Sequence, residues 1–541
     1  MRQLSGHDAG FLYSDTARSN ANVSLLHIFD QATAAGGVVR FKTVLAHVER
    51  RLSASPLFRQ RLQTVPLGLD HPYWVDDENF DVEYHVRHIA LPKPGDWRQF
   101  CIQVSRIHAR ALDLDRPLWE VYVIEGLDSF LDLPEGSFGL LLKTHLAAVG
   151  VQQLSELSAL LLDDSALPTP AGPSAPWFAD AAPRRLALVA RGLLKSATAP
   201  LRLVRPLARV ATHVAPAAAA LASEMLLRPQ NLPVTRFNSV VSPHRVFETR
   251  RFTEAEFDAV RGLVAGATLE DAALAVCGGA LRRYLGEQGE LPEDHSLSAI
   301  FSQPAAVALA GAGPFKRKPI SAAPALMWRH LQLGTTLADP VQRLVAVRAQ
   351  SLTQTAADPL LRLINSPELA QAGAVASAPL LSWSRRLAGA IGARLGPRTP
   401  QAHCSITEVP APVRPLYLCG ARMVYFSAIL PIADGLGLAF ALTRYDGRVV
   451  ISPTSCRELM PDPELFALCL RDSFQEYLAL AQARPHKPAR KRLNQASIKA
   501  AIKPATTPPS KTATTGRRRP ARPSVKSRQA QQPAEKAAKV G

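Results

Sequence analysis

The chain has 541 residues, 47% of them hydrophobic and 20% charged, which is too long for one ordinary core and too apolar for a disordered protein. Its formal charge of +18 is concentrated in residues 484–541, where sixteen Lys and Arg face one acid, Glu535; the body carries only +3, so nucleic-acid binding is not expected of the folded part. The six cysteines lie mostly inside apolar runs without Cys-x-x-Cys spacing, which excludes a disulfide framework and implies buried thiols in a reducing cytoplasm.

In chain order, LSGHDAGFLYSD predicts a short helix or turn, and NVSLLHIFD a strand. Phe41, Val44, Leu45, Val48 and Leu52 fall at helical spacing. PYWVDD and FDVEYHVRHIALP follow as two strands. In the second, alternation sends His85 and His88 to opposite faces, and no carboxylate or cysteine completes a metal site, so none is expected. After a helix from about Trp97 to Ala111, Pro117, Leu118, Trp119 and Glu120 open the next strand. There Trp119, Val121 and Val123 alternate with Glu120, Tyr122 and Ile124.

Phe138 to Gly150 reads FGLLLKTHLAAVG, an apolar strand that gives way to a loop at His145. A helix with apolar residues at Val151, Leu154, Leu157, Leu160 and Leu161 comes next. A reactive side chain at such a junction is held rigidly by the strand behind it. The loop resembles the His-His-x-x-x-Asp-Gly signature of coenzyme A-dependent acyltransferases. Thr144 stands for the first His, His145 for the second, Val149 for the Asp, and Gly150 is kept. LSGHDAGFL, PYWVDD, YHVRH, PLWE and this loop occur in the order found in bacterial wax ester synthase/diacylglycerol acyltransferases, and the resemblance runs over roughly residues 1 to 480.

That resemblance implies two α/β domains of the chloramphenicol acetyltransferase type with a tunnel between them. They are expected at residues 1–165 and 231–483, joined by an Ala/Pro/Arg-rich helical connector at 166–230 and followed by a disordered basic tail at 484–541. It also implies transfer of a fatty acyl group from acyl-CoA, a co-substrate rather than a resident cofactor, to diacylglycerol or a long-chain alcohol, with His145 as general base. No permanently bound cofactor is expected.

The second half keeps the family's scaffold. Thr268 and Asp271 make a helix N-cap, and Gly278 and Gly279 permit close packing of that helix. Asp434-Gly435 makes a turn, and a last helix begins near Pro463. Glu270-Asp271 stands where the family has Asn-Asp, and Glu408 and Ala411 alter an Asn-Val-Pro-Gly-Pro turn. Such changes at a reaction tunnel imply an altered or silent site, so the alternative is a non-catalytic relative that binds acyl-CoA, neutral lipid or an active paralogue. With no signal peptide and no apolar run of roughly 18 residues, the expected location is the cytoplasm, lying peripherally on the inner membrane or on lipid inclusions. The amphipathic stretch with Leu186, Leu193 and Leu194 suits either a lipid surface or a domain crossover.

Overall fold

A computed structural model describes residues 1–127, 133–167, 177–195, 233–304, 326–353 and 402–483. The expected tail, most of the connector and the segment GAGPFKRKPISAAP (311–324), in which the family's Gly-Asn pattern is not recognisable, lie outside them. In chain order the first half contains β1 (Arg2–Gln3), α1 (Gly6–Ser14), β2 (Asn22–Asp30), α2 (Phe41–Arg51), β3 (Gln60–Gln63), β4 (Tyr73–Asp76), β5 (Val86–Ala90), α3 (Trp97–Ala109), β6 (Trp119–Leu127), β7 (Ser137–His145) and α4 (Leu154–Leu161). The second contains β8 (Arg245–Phe247), β9 (Arg250–Thr253), α5 (Glu254–Arg261), α6 (Leu269–Glu287), β10 (Ser298–Pro304), β11 (Leu326–Gln332) and α7 (Pro340–Thr353). It continues with β12 (Cys404–Glu408), β13 (Tyr417–Leu418), β14 (Ala421–Ile429), β15 (Ala439–Tyr445), β16 (Arg448–Cys456) and α8 (Pro463–Ala483).

Two large sheets organise these elements. The first has the order β13-β14-β2-β7-β6-β5, and the second β11-β10-β12-β15-β16-β8, with β9 also on β16. A small sheet, β1-β4-β3, lies apart. The first large sheet is therefore not built from the first half alone, because β14 pairs antiparallel with β2 from Arg422–Asp30 to Ile429–Ser24.

Period-two alternation divides the first sheet between two apolar layers. Val23, Leu25, Phe29, Trp119, Val121, Leu140 and Leu142 face α2 and α4. Leu26, Ile28, Tyr122, Ile124 and Leu141 face α3, where Phe100, Val104 and Ile107 each contribute roughly 1.5–3 kcal/mol by burial. Both faces are covered, which explains why β7 reads as a nearly continuous apolar run. In the second half α6 starts in a capping box between Thr268 and Asp271. The same helix packs closely at its glycines: a Cβ at Gly278 would overlap the Leu333 carbonyl, and one at Gly279 the Ser473 hydroxyl.

One predicted strand is shorter than expected. Val82–His85 is a single helical turn, capped by the Asp81 carboxylate on the Glu83 N–H, and the strand begins only at Val86. His85 consequently stacks on Trp119 at 4.6 Å and meets the Trp119 carbonyl oxygen through Nδ1 at 2.7 Å. His88 stacks on Phe41 and pairs with Glu125. Cysteines 101, 277, 404, 456 and 469 are buried free thiols, and Cys419 is half-buried.

Candidate active site

His145 is the last residue of β7, paired in the sheet with Asn22 of β2. It shares the α3-facing side of the strand with Lys143 and Leu141, two and four residues back. The chain then turns sharply: Leu146 N–H bonds the Ala21 carbonyl, and the Ala148 and Val149 N–H groups bond the His145 carbonyl. The same turn aims Ala147 N–H at His145 Nδ1, 3.1 Å away. A backbone N–H can only donate, so Nδ1 is the acceptor and the neutral ring carries its proton on Nε2. That proton is donated to Asp15 Oδ2 at 2.9 Å. Asp15 follows α1, accepts the Ala21 N–H on its other oxygen at 2.9 Å, and keeps 22% of its side chain exposed while His145 keeps 1%. The pair is an imidazole held from behind by the strand and oriented by a carboxylate on the accessible side.

Behind it lies a second ionic group. Lys143 is fully buried, directly opposite Glu120 in the register, with Nζ 3.4 Å from the carboxylate. The ammonium also donates to the carbonyls of Ile107 at 3.1 Å and Arg110, closing the C-terminal end of α3. Burial lowers the Lys143 pKa and Glu120 opposes that shift. Glu120 further accepts from Tyr122 at 3.1 Å and lies 3.9 Å from Arg87.

The other signature positions are turned to structure. Thr144, fully buried, donates its hydroxyl to the Leu118 carbonyl at 3.0 Å. Val149 is 3% exposed and packs in the α2/α4 layer. Gly150 has φ −67°, and a Cβ there would meet only Gln153 at 4.0 Å, so its conformation does not demand glycine. In the Pro117–Glu120 segment, Trp119 donates Nε1–H to the Phe58 carbonyl at 3.0 Å, and the Pro117 carbonyl accepts the Trp119 N–H.

In the second half, Asp271 ties α6 to α7. It accepts from Thr268 N–H at 2.9 Å, Ser351 Oγ at 2.6 Å and Arg348 at 3.2 Å. Glu270 and Glu408 instead share Arg444, at 4.0 and 2.7 Å. Burial pushes the Glu408 carboxyl up, Arg444 opposes this, and Glu270 adds to it. Among the described residues no hydrogen bond or ion pair joins this triad to His145. No group of three His, Cys, Asp or Glu that could hold a metal ion occurs among the described residues. Sequence reasoning missed Asp15, Lys143 and Arg444. A lysine inside the run FGLLLKTHL was the available signal, because a buried charge needs partners.

A profile of the wax ester synthase/diacylglycerol acyltransferase catalytic domain matches residues 4–273, and one of the WS/DGAT C-terminal domain matches residues 325–477. A protein of Mycobacterium tuberculosis (strain CDC 1551 / Oshkosh) with a provisional diacylglycerol O-acyltransferase name is 30% identical over 478 residues, covering 85% of this chain and 87% of its own. The structure of the wax ester synthase/diacylglycerol acyltransferase from Marinobacter aquaeolei VT8 matches with TM-score 0.61 at 23% identity, over 89% of this chain and all of that one. The TRI3 trichothecene 15-O-acetyltransferase from Fusarium sporotrichioides matches with TM-score 0.54 at 9% identity, over 88% and 95%. These two show a shared α/β acyltransferase fold.

Proposed function

The chain belongs to the wax ester synthase/diacylglycerol acyltransferase family, and from that premise we propose that it transfers a fatty acyl group from acyl-CoA to the hydroxyl of diacylglycerol or a long-chain alcohol. The observation that carries this reading is the match of both family domains, in order, around a sheet that ends in an oriented histidine.

In the reaction, the acceptor hydroxyl adds to the thioester carbonyl as a base takes its proton. The tetrahedral intermediate then loses the coenzyme A thiolate, which picks up the proton. Asp15 holds the His145 proton on Nε2, so the lone pair that can act as base is on Nδ1. Nδ1 is covered by Ala147 N–H, and turnover therefore requires the 146–149 turn to withdraw that donor. The acceptor comes from a lipid surface. Helical segment 185–195 turns Leu186, Leu193 and Leu194 outward, at 82%, 55% and 69% exposure, beside exposed Arg184, Arg185 and Arg191. Such a face supports peripheral contact with a membrane or lipid inclusion from the cytoplasmic side. No helix among the described residues is long and apolar enough to cross a membrane.

A second reading is favoured by that same covering of Nδ1, together with Thr144 and Val149: a family member that binds acyl-CoA or neutral lipid without turnover. Thiol release from palmitoyl-CoA with hexadecanol or dioleoylglycerol separates the two. The first reading expects ester formation that His145→Ala lowers by about two to four powers of ten, and that Asp15→Asn lowers with an altered pH profile. Palmitoyl-CoA binding without ester formation leaves the second reading standing. Ester formation unchanged in His145→Ala removes His145 from the mechanism.

A further inference from the structure

A groove of about 620 Å³ runs between α3 of the first half and, from the second half, β8 with its flanks and the start of α8. Five arginines line it: Arg98, Arg106 and Arg110 on one wall, Arg245 and Arg457 on the other. Among the described residues their charges are only partly paired. Arg98 pairs with Glu464 at 3.1 Å, and Arg245 donates to the carbonyls of Ser242 and Arg18. The guanidinium groups of Arg106, Arg110 and Arg457 make no ion pair with a described residue. Of the three acids on the walls, Glu464 has Arg98 and Glu248 has Arg250 at 2.9 Å, which leaves Asp462 against three guanidinium groups without an ion pair among the described residues. The C-terminal end of α3 suits Arg106 through its helix dipole. That does not account for Arg457 facing it from the opposite wall. The floor is apolar, with Ile102 and Leu468 exposed at 41% and 37%.

The groove lies on the face of the first sheet that carries His145. Arg110, which lines it, has a carbonyl that accepts both Lys143 Nζ and Asn22 Nδ2, and Asn22 is the sheet partner of His145. An extended molecule with several phosphates at one end and an uncharged arm would match both the cationic walls and the apolar floor. We propose that this groove holds the phosphate groups of the coenzyme A donor, with Arg106 and Arg457 clasping them from opposite walls, so that the pantetheine arm runs inward along the α3 face toward His145. This rests on the acyl-CoA reading above.

The test uses the full chain and calorimetric titration with coenzyme A and with pantetheine, which lacks the phosphates. Arg106→Glu and Arg457→Glu sit at exposed positions, and Arg471→Glu, on the outer face of α8, controls for net charge. Each groove variant should bind coenzyme A roughly tenfold more weakly, with pantetheine binding and the control unchanged. The parent's advantage for coenzyme A over pantetheine should also shrink with salt. A parent that binds coenzyme A, with affinity unaltered in the Arg106→Glu/Arg457→Glu double variant, overturns the groove assignment alone. A parent that binds no coenzyme A overturns the acyl-CoA reading and this proposal with it. Loss of binding to phosphatidylglycerol vesicles without loss of coenzyme A binding would also overturn it, reassigning the groove to a lipid headgroup.

Discussion

Two charge clusters, one in each half of the chain, are built on opposite terms. In the first half Lys143 and Glu120 are buried against each other, and the ammonium also satisfies two helix-end carbonyls. In the second half Glu270 and Glu408 compete for Arg444, which keeps 44% of its side chain in solvent. A buried pair with every partner in place fixes the geometry of the strand that bears it, although its net contribution to stability is small. A half-exposed pair fixes little and is screened by salt. The strand beneath His145 is therefore rigid by construction, whereas the Arg444 cluster can change residues at low cost. Glu270 and Glu408, the two positions at which the sequence reading expects a departure from the family pattern, lie in this cluster.

Breaking the buried pair should have the largest effect. Lys143→Ala strands the Glu120 carboxylate and leaves the Ile107 and Arg110 carbonyls without that donor, and urea unfolding should show a loss of about 3–5 kcal/mol. Acid should weaken the same half nearly as much. Burial lowers the His27 pKa to about 4, with Ser158 Oγ 2.9 Å from Nε2 and the Leu140 carbonyl 3.2 Å from Nδ1. The unfolded chain takes up that proton near pH 6.5, so stability falls as pH drops from there toward 4, by about 3 kcal/mol at most from this residue. Denaturant midpoints between pH 7 and 4 should show the decline, and His27→Asn should flatten it.

The second-half cluster should respond far less. Arg444→Ala is expected to cost about 1 kcal/mol or less, and in salt less still. An equal loss in the Lys143 and Arg444 variants would remove the distinction between the two clusters. The smallest effect belongs to Glu270→Asn, a change of a few tenths of a kcal/mol. Its signature is electrostatic: removal of a like charge should bring the Glu408 carboxyl down toward its ordinary range in an NMR titration.

How much of this was legible in the sequence varies with the range of the interaction. The alternation in β6 and the capping signature at Thr268 and Asp271 are local, and the structure has both. The turn at Val82–His85 was misread because V-E-Y-H alternates like a strand, while the Asp81 cap that decides the matter is a single side-chain bond. Asp15 lies 130 residues from His145, and nothing local marks a carboxylate as the partner of a distant ring. The placement of β14 in the first sheet is likewise a non-local pairing without a sequence period of its own.

That last feature has a bearing on how the protein is made. While β14 is still inside the ribosome, β2 has one neighbour and one row of open amide and carbonyl groups along its other side. Its partner emerges about 280 residues after His145, a delay of roughly 15–55 s at ordinary rates of translation. Through that interval the newborn chain presents the edge N-V-S-L-L-H-I-F-D, apolar at most positions, to any other strand that will pair with it. If that edge is the hazard, expression at reduced temperature or with an added holdase chaperone should raise the yield of soluble protein.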